Sequence, residues 1–106
     1  MRKMSYKQYK AVVVRSKYMN NDNLALMLID EKDGSLITTI TVNTEDKLPE
    51  GFGYVKNYSE NEGIMEVLQE EGLIKEVLQE ERLIKEQMGW VTVPLVEFDL
   101  EGVDEL

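Results

Sequence analysis

The chain has 106 residues, no cysteine, no histidine and a net charge of −9, and this length predicts one domain, residues 1–106, with a single small core. The missing residue types exclude a disulfide framework and thiolate chemistry, and they remove the usual general base and the commonest transition-metal ligand. The negative charge disfavours nucleic acid and anionic membranes as direct partners and favours basic protein surfaces.

Three segments in the first half of the chain have the pattern of β-strands. Residues 10–16 are rich in valine and end in a run of turn formers at 18–23. Residues 24–29 are apolar on both faces, as in a central strand, and a short connection with Asp33 and Gly34 leads to residues 36–42. These segments predict an antiparallel meander.

Two further strands are predicted, one on each side of the central part of the chain. Residues 52–55 form a short fourth strand after a charged loop that contains proline and glycine. Residues 90–98 form the last strand, in which Pro94 cannot donate a ladder hydrogen bond. Pro94 therefore predicts an edge position or a bulge, and residues 101–106 are expected to be a frayed tail.

A ten-residue phrase occurs twice in succession between these strands. Residues 66–75 read EVLQEEGLIK and residues 76–85 read EVLQEERLIK, so the copies differ only at Gly72 and Arg82. Ten residues turn a helix by about 1000°, which leaves the apolar stripe of the second copy about 80° away from that of the first. One straight helix would therefore not keep a single buried face.

Gly72 offers an ending for a first helix. As the residue after the C-cap, it would place Leu68 and Leu73 in the positions whose apolar contact accompanies a Schellman ending. This predicts helices near 62–71 and 74–88, with one helix running through Gly72 as the alternative. The predicted fold class is α+β: an antiparallel sheet of four to five strands, with one long or two consecutive helices at about 62–88 inserted before the last strand.

No segment carries a catalytic or metal-binding motif. Paired catalytic carboxylates need a buried cleft lined by aromatic residues, and aromatic residues make up 8% of this chain. The asparagine-rich run at 20–23 lacks the spacing of a calcium loop. No apolar run is long enough to span a bilayer. We therefore expect a soluble, non-enzymatic protein without cofactor or metal.

Several ordered pieces of the chain together resemble a domain family of unknown function, which comprises small acidic proteins of bacterial conjugative elements and phages. The pieces are residues 9–14 (YKAVVV), 23–30 (NLALMLID), 41–43 (TVN), 48–50 (LPE), 68–73 (LQEEGL) and 94–100 (PLVEFDL). The chain departs from the family at residues 56–59, where members usually carry an Asp-Thr-Asn-Asn-like turn. It departs again where its second copy replaces a loop rich in glycine and serine.

The resemblance implies an accessory protein of a mobile element or phage, acting in the cytoplasm of a bacterial host. By analogy with DNA mimics and anti-CRISPR proteins, the leading hypothesis is an acidic inhibitor of a host defence nuclease, with Cas9 as the named candidate. It would occupy a basic nucleic-acid-binding surface through six glutamates. These are Glu66, Glu70, Glu71, Glu76, Glu80 and Glu81.

The alternative function is a non-catalytic interaction or assembly module. In this interpretation the helix at 74–88 pairs with a partner helix or with a second copy of the chain, so that the protein is a monomer or a homodimer. The pairing stripe consists of Val77, Leu78, Ile84 and Met88.

Overall fold

A computed structural model describes residues 1–87 and 89–106, which form two β-sheets and one α-helix. The first sheet has the order β1 (Arg2–Tyr6), β2 (Tyr9–Lys17), β3 (Leu24–Asp30), β4 (Leu36–Thr39), all antiparallel, and β9 (Asp104–Glu105) runs parallel to β2. The second sheet is antiparallel and has the order β5 (Thr41–Val42), β6 (Phe52–Val55), β8 (Gly89–Phe98), β7 (Ile74–Glu86). A 3₁₀ turn (Ser59–Asn61) and the helix α1 (Ile64–Glu70) precede β7.

The predicted α+β class is wrong, because the second helix at 74–88 does not form. Residues 74–86 instead make the long strand β7, which pairs with β8. The fold is therefore largely β, and α1 is seven residues long. Among the described residues, no helix is long and apolar enough to cross a membrane.

The main core lies where the two sheets and α1 meet. Strands β1, β2 and β3 of the first sheet contribute buried side chains to it, together with residues of α1, β6 and β8. Its buried members are Met4, Tyr6, Ala11, Val13, Leu26, Leu28, Ile40, Val55, Ile64, Leu68, Leu73, Val96, Phe98 and Val103. The helix therefore belongs to the core of the fold.

A second, smaller core covers the opposite face of the second sheet. Tyr54, Ile84 and Val93 are buried there, and Leu48 and Tyr58 pack against them from neighbouring loops. Since side chains alternate along a strand, β8 sends Val96 and Phe98 to the main core and Val93 to the small one. Strand β7 also contributes to both cores, since Ile74 and Val77 pack against the main core and Ile84 is buried in the small one.

The end of α1 confirms the predicted Schellman ending. Gly72 has a φ of 73°, the Leu73 amide donates to the Leu68 carbonyl at 3.0 Å, and the Gly72 amide donates to the Gln69 carbonyl at 3.1 Å. Leu68 and Leu73 are both buried in the main core. The first copy of the phrase therefore ends its helix at the glycine that the second copy lacks.

The identical hexapeptide EVLQEE forms the last five residues of α1 and its C-cap at 66–71, but it forms strand at 76–81. Its strand form is irregular, because the pairing of β7 with β8 shifts by one residue at three places between Ile74 and Arg82. The last shift places Glu80 and Glu81 opposite Pro94. The prediction of a bulge at Pro94 is confirmed, but its edge position is wrong, since β8 lies between β6 and β7.

Other predicted strands are confirmed with changes at their ends. The segment 36–42 divides at Ile40 into β4 and β5, which belong to different sheets. The strand β1 was not predicted. The tail is not frayed along its whole length, because Val103 is buried and Asp104 pairs with Val14 of β2.

Gly72→Arg makes the two copies identical and is expected to lower the free energy of unfolding by about 1–2 kcal/mol, because an L side chain at positive φ is strained. A side chain has room there, since the nearest atom to a Cβ placed on Gly72 is a guanidinium nitrogen of Arg2 at 3.6 Å. Urea denaturation measures the change. Gly72→Asn is the control and should lose less, because asparagine tolerates this conformation. An arginine variant as stable as the parent would contradict the ending.

Candidate protein-binding surface

All six glutamates of the predicted binding surface are exposed, but they lie in two separate groups. Glu66, Glu70 and Glu71 belong to α1 and its C-cap, whereas Glu76, Glu80 and Glu81 belong to β7. The prediction placed all six on a helical arm, and this part of it is wrong. What they share is exposure to solvent rather than a common helix.

The first group adjoins further acids near the C-terminal end of the chain. The Asp99 amide donates to the Leu73 carbonyl at 2.8 Å, which holds the turn at 99–102 against the end of α1. The Asp99 carboxylate in turn accepts from the Glu101 amide at 3.0 Å. We call Glu66, Glu70, Glu71, Asp99 and Glu101 the acidic end.

Arg2 fastens the two parts of the acidic end together. Its guanidinium donates to the Glu71 carbonyl at 2.9 Å and to the Glu101 carbonyl at 3.1 Å. Both acceptors are backbone carbonyl oxygens, so these hydrogen bonds do not involve the carboxylates of Glu71 and Glu101. Within the described residues, no carboxylate of the acidic end forms an ion pair with lysine or arginine. The surface therefore keeps a local excess of negative charge.

The second group of glutamates has a different charge environment. Glu76 lies opposite Glu97 on β8, but Lys75, Arg82 and Lys85 also belong to β7. Arg82 donates to the Asp46 carboxylate at 2.9 Å, and the Tyr54 hydroxyl bonds the same oxygen at 3.2 Å. Because cations are interspersed along β7, its surface is less acidic than the acidic end.

Sequence reasoning missed Asp99 and Glu101 as parts of this surface. The charge count could have pointed to them, since residues 87–106 carry five acids and no lysine or arginine. Glu101 was missed because residues 101–106 were expected to be a frayed tail, and Asp99 lies between that tail and the predicted last strand. Pairing of β9 with β2 holds the tail in place.

The residues with shifted pKa values lie outside the acidic end, and ion pairing or burial causes the shifts. The Lys56 ammonium, bonded to Glu60, lowers the pKa of that carboxyl, and Lys3 does the same for Glu31. Burial, with a smaller contribution from Glu86, raises the pKa of Tyr58. Burial also raises the pKa of Tyr54, with Asp46 contributing. The shifts widen the pH range over which these carboxylates are charged and these tyrosines are neutral.

The residues of the predicted pairing stripe do not share one surface. Val77 packs against the main core, Ile84 is buried in the small core, and Leu78 is partly exposed between them. Met88 lies outside the described residues. Because residues 74–86 form a strand, the predicted pairing of helices is wrong.

In the part of the chain that the structure describes, no group of three or more acidic side chains is placed to hold a metal ion.

Similarity to known proteins does not assign a ligand to the acidic end. The resemblance to small acidic proteins of mobile elements stays a prediction. Comparison of the chain with protein-family models, with curated proteins and with solved structures gives no match.

Proposed function

We propose that this protein is a non-catalytic inhibitor from a mobile element or phage, which acts in the bacterial cytoplasm on a host defence nuclease. Cas9 is the first candidate target, which would make the protein an anti-CRISPR. The acidic end would occupy the basic surface on which the nuclease binds nucleic acid. The observation that supports this proposal is that five acids lie on α1, its C-cap and the turn hydrogen-bonded to the end of that helix, none of them paired with a described lysine or arginine.

The arrangement suits a basic groove because its charges are held on ordered backbone. Glu66 and Glu70 are four residues apart on α1, so they lie on the same face of the helix. Arg2 and the Asp99 amide hold the turn beside that helix. Lysine and arginine side chains that normally contact phosphates would meet carboxylates whose backbone is already in place, so that binding has to order the side chains alone.

Reversing two charges at the acidic end tests the proposal. Glu70→Lys with Glu71→Lys is expected to weaken binding to Cas9 at least tenfold, about 1.4 kcal/mol, and to abolish inhibition of DNA cleavage. The helix should survive, because cations are favourable near a helix C-terminus. Binding of the parent protein should also weaken as salt is raised. Calorimetry and a cleavage assay provide the two readouts.

Two further double variants change the net charge by the same amount. Glu45→Lys with Glu50→Lys lies on an exposed loop and is expected to bind and inhibit like the parent. Glu80→Lys with Glu81→Lys, on β7, is expected to have a smaller effect than the acidic-end variant. Equal losses in all three variants would show that only net charge acts, and retained inhibition by the acidic-end variant would contradict the proposal.

A further inference from the structure

Strand β7 lies at the edge of the second sheet. Among the described residues, β8 is the one strand that pairs with it. The part of β7 before Arg82 carries the three register shifts, and such bulges hinder pairing with a further strand. Residues 82–86, by contrast, pair regularly with residues 89–93. Their outer edge therefore presents a row of backbone donors and acceptors that a further strand could use.

This regular part extends beyond the main core. On the main-core face of β8, Val96 is buried, whereas Thr92 and Trp90 are exposed. Leu83 of β7 lies opposite Thr92 and therefore on the same face. Trp90 is 64% exposed and Leu83 is 57% exposed. Two large apolar side chains thus lie uncovered near the free edge, where a further strand would contact Leu83.

The charges of residues 82–86 restrict which strand fits against them. The segment reads Arg-Leu-Ile-Lys-Glu, with two cations and one anion. A purely basic strand would meet Arg82, and a purely acidic strand would meet Glu86, so each would oppose a like charge. The same segment in the reverse direction places glutamate opposite arginine at both ends. A second copy of this chain therefore supplies a complementary strand.

Symmetry selects one register for such a pair. A twofold axis perpendicular to the sheet places one residue opposite its own copy, because opposed side chains share a face. An axis at either cation or at Glu86 opposes like charges, and an axis at Leu83 brings Glu80 opposite Glu86. An axis at Ile84 brings Arg82 opposite Glu86 of the second copy, twice, and opposes no like charges within the segment.

Both charged ends have capacity for this contact. Arg82 is 44% exposed and donates to Asp46 from one terminal nitrogen, which leaves further donors on the guanidinium. Glu86 is half-buried, and an ionised carboxylate has about four acceptor sites. Since the start of β7 packs against the main core at Ile74 and Val77, antiparallel pairing places the two main cores at opposite ends of the joined strands.

We propose that two copies of this chain pair edge to edge through residues 82–86 of β7 and so join their second sheets. Leu83 lies against the aliphatic part of Lys85 from the second copy and diagonally across from the second Leu83. A standard interface uses about 20–30 residues a side, so this smaller one is weak and depends on concentration. The pairing does not involve the acidic end and does not depend on the proposed inhibitor function.

Sedimentation equilibrium of the full chain from about 10 μM to about 1 mM tests the proposal. The average mass is expected to rise with concentration from 12.3 kDa towards twice that value. Amide hydrogen exchange within residues 82–86 should slow over the same range, because edge amides gain an acceptor. A mass of 12.3 kDa throughout, or a dimer that protects other amides and not these, would overturn the proposal.

Variants of exposed residues test the register. Leu83→Lys places lysine opposite Lys85 of the second copy at two positions and is expected to weaken the dimer at least tenfold. It also makes the net charge of the chain less negative, so that general repulsion between copies would instead decrease. Adding Lys85→Glu restores opposite charges at both positions and should recover most of the loss.

Leu36→Lys is the matched control, because Leu36 is 61% exposed on β4, in the other sheet. This variant is expected to dimerise like the parent. Thermal melts show whether each variant is folded. A dimer that Leu83→Lys leaves unchanged, a loss that Lys85→Glu does not recover, or an equal loss in Leu36→Lys would contradict the assignment.

Discussion

Leu68→Ala is expected to lower the free energy of unfolding by about 2–5 kcal/mol, the usual cost of removing a leucine side chain from a packed core. Leu78→Ala, at the equivalent position of the second copy, is expected to cost no more than about 1 kcal/mol. Leu68 is 0% exposed in the main core, whereas Leu78 is 38% exposed on β7. Urea denaturation of the two variants measures both changes.

The two leucines make a matched pair, because each stands in the same hexapeptide, EVLQEE. The neighbouring residues are therefore the same in both variants. Alanine is favoured in a helix and disfavoured in a strand, so its intrinsic propensity opposes the expected order, and a larger loss at Leu68 reports tertiary packing. Equal losses in the two variants would contradict the different environments of the copies. Equal m-values would show that neither variant changes the surface exposed on unfolding.

Asn61→Ala is expected to cost about 1–3 kcal/mol for each buried group that it leaves without a partner. Asn61 is fully buried; its side chain accepts from the Thr38 hydroxyl at 2.7 Å and donates to the Thr39 carbonyl at 2.8 Å. These bonds tie the turn before α1 to β4. Thermal or urea unfolding gives the size of the loss.

Two further variants test whether the loss in Asn61→Ala comes from its hydrogen bonds. Asn57 is half-buried and has no side-chain hydrogen bond within the described residues, so Asn57→Ala should be close to neutral. In Asn61→Ala, Thr38→Val should cost less than it does in the parent, because its hydroxyl has already lost its partner. Additive costs would show that Asn61 and Thr38 do not act as a pair.

Much of the strand pattern was predictable from local sequence. The valine-rich segment of β2, the apolar β3 and the turn formers between them predicted the meander, and the structure confirms it. The residues around Gly72 likewise predicted the end of α1. Strand β1 was missed because its buried residues, Met4 and Tyr6, alternate with charged and polar residues in a short segment. That alternation was the available signal.

The second copy could not be assigned from local sequence, because five of the same six residues are helical in the first copy and the sixth is the C-cap of that helix. The deciding contacts are distant: Val77 lies opposite Val96, and Ile84 lies opposite Val91 on β8. Helix propensity favoured a second helix, whereas pairing with β8 places Val77 against the main core and Ile84 in the small one. Local sequence likewise predicted that the six glutamates are exposed, but it did not predict that they lie in two separate groups.

Residue-specific NMR chemical shifts would establish whether one hexapeptide forms helix in the first copy and strand in the second, as the fold requires. The structure predicts Cα shifts above random-coil values for Glu66 to Glu70 and below them for Glu76 to Glu81. Cα shifts above random-coil values in both copies would contradict the fold and restore the arrangement of consecutive helices.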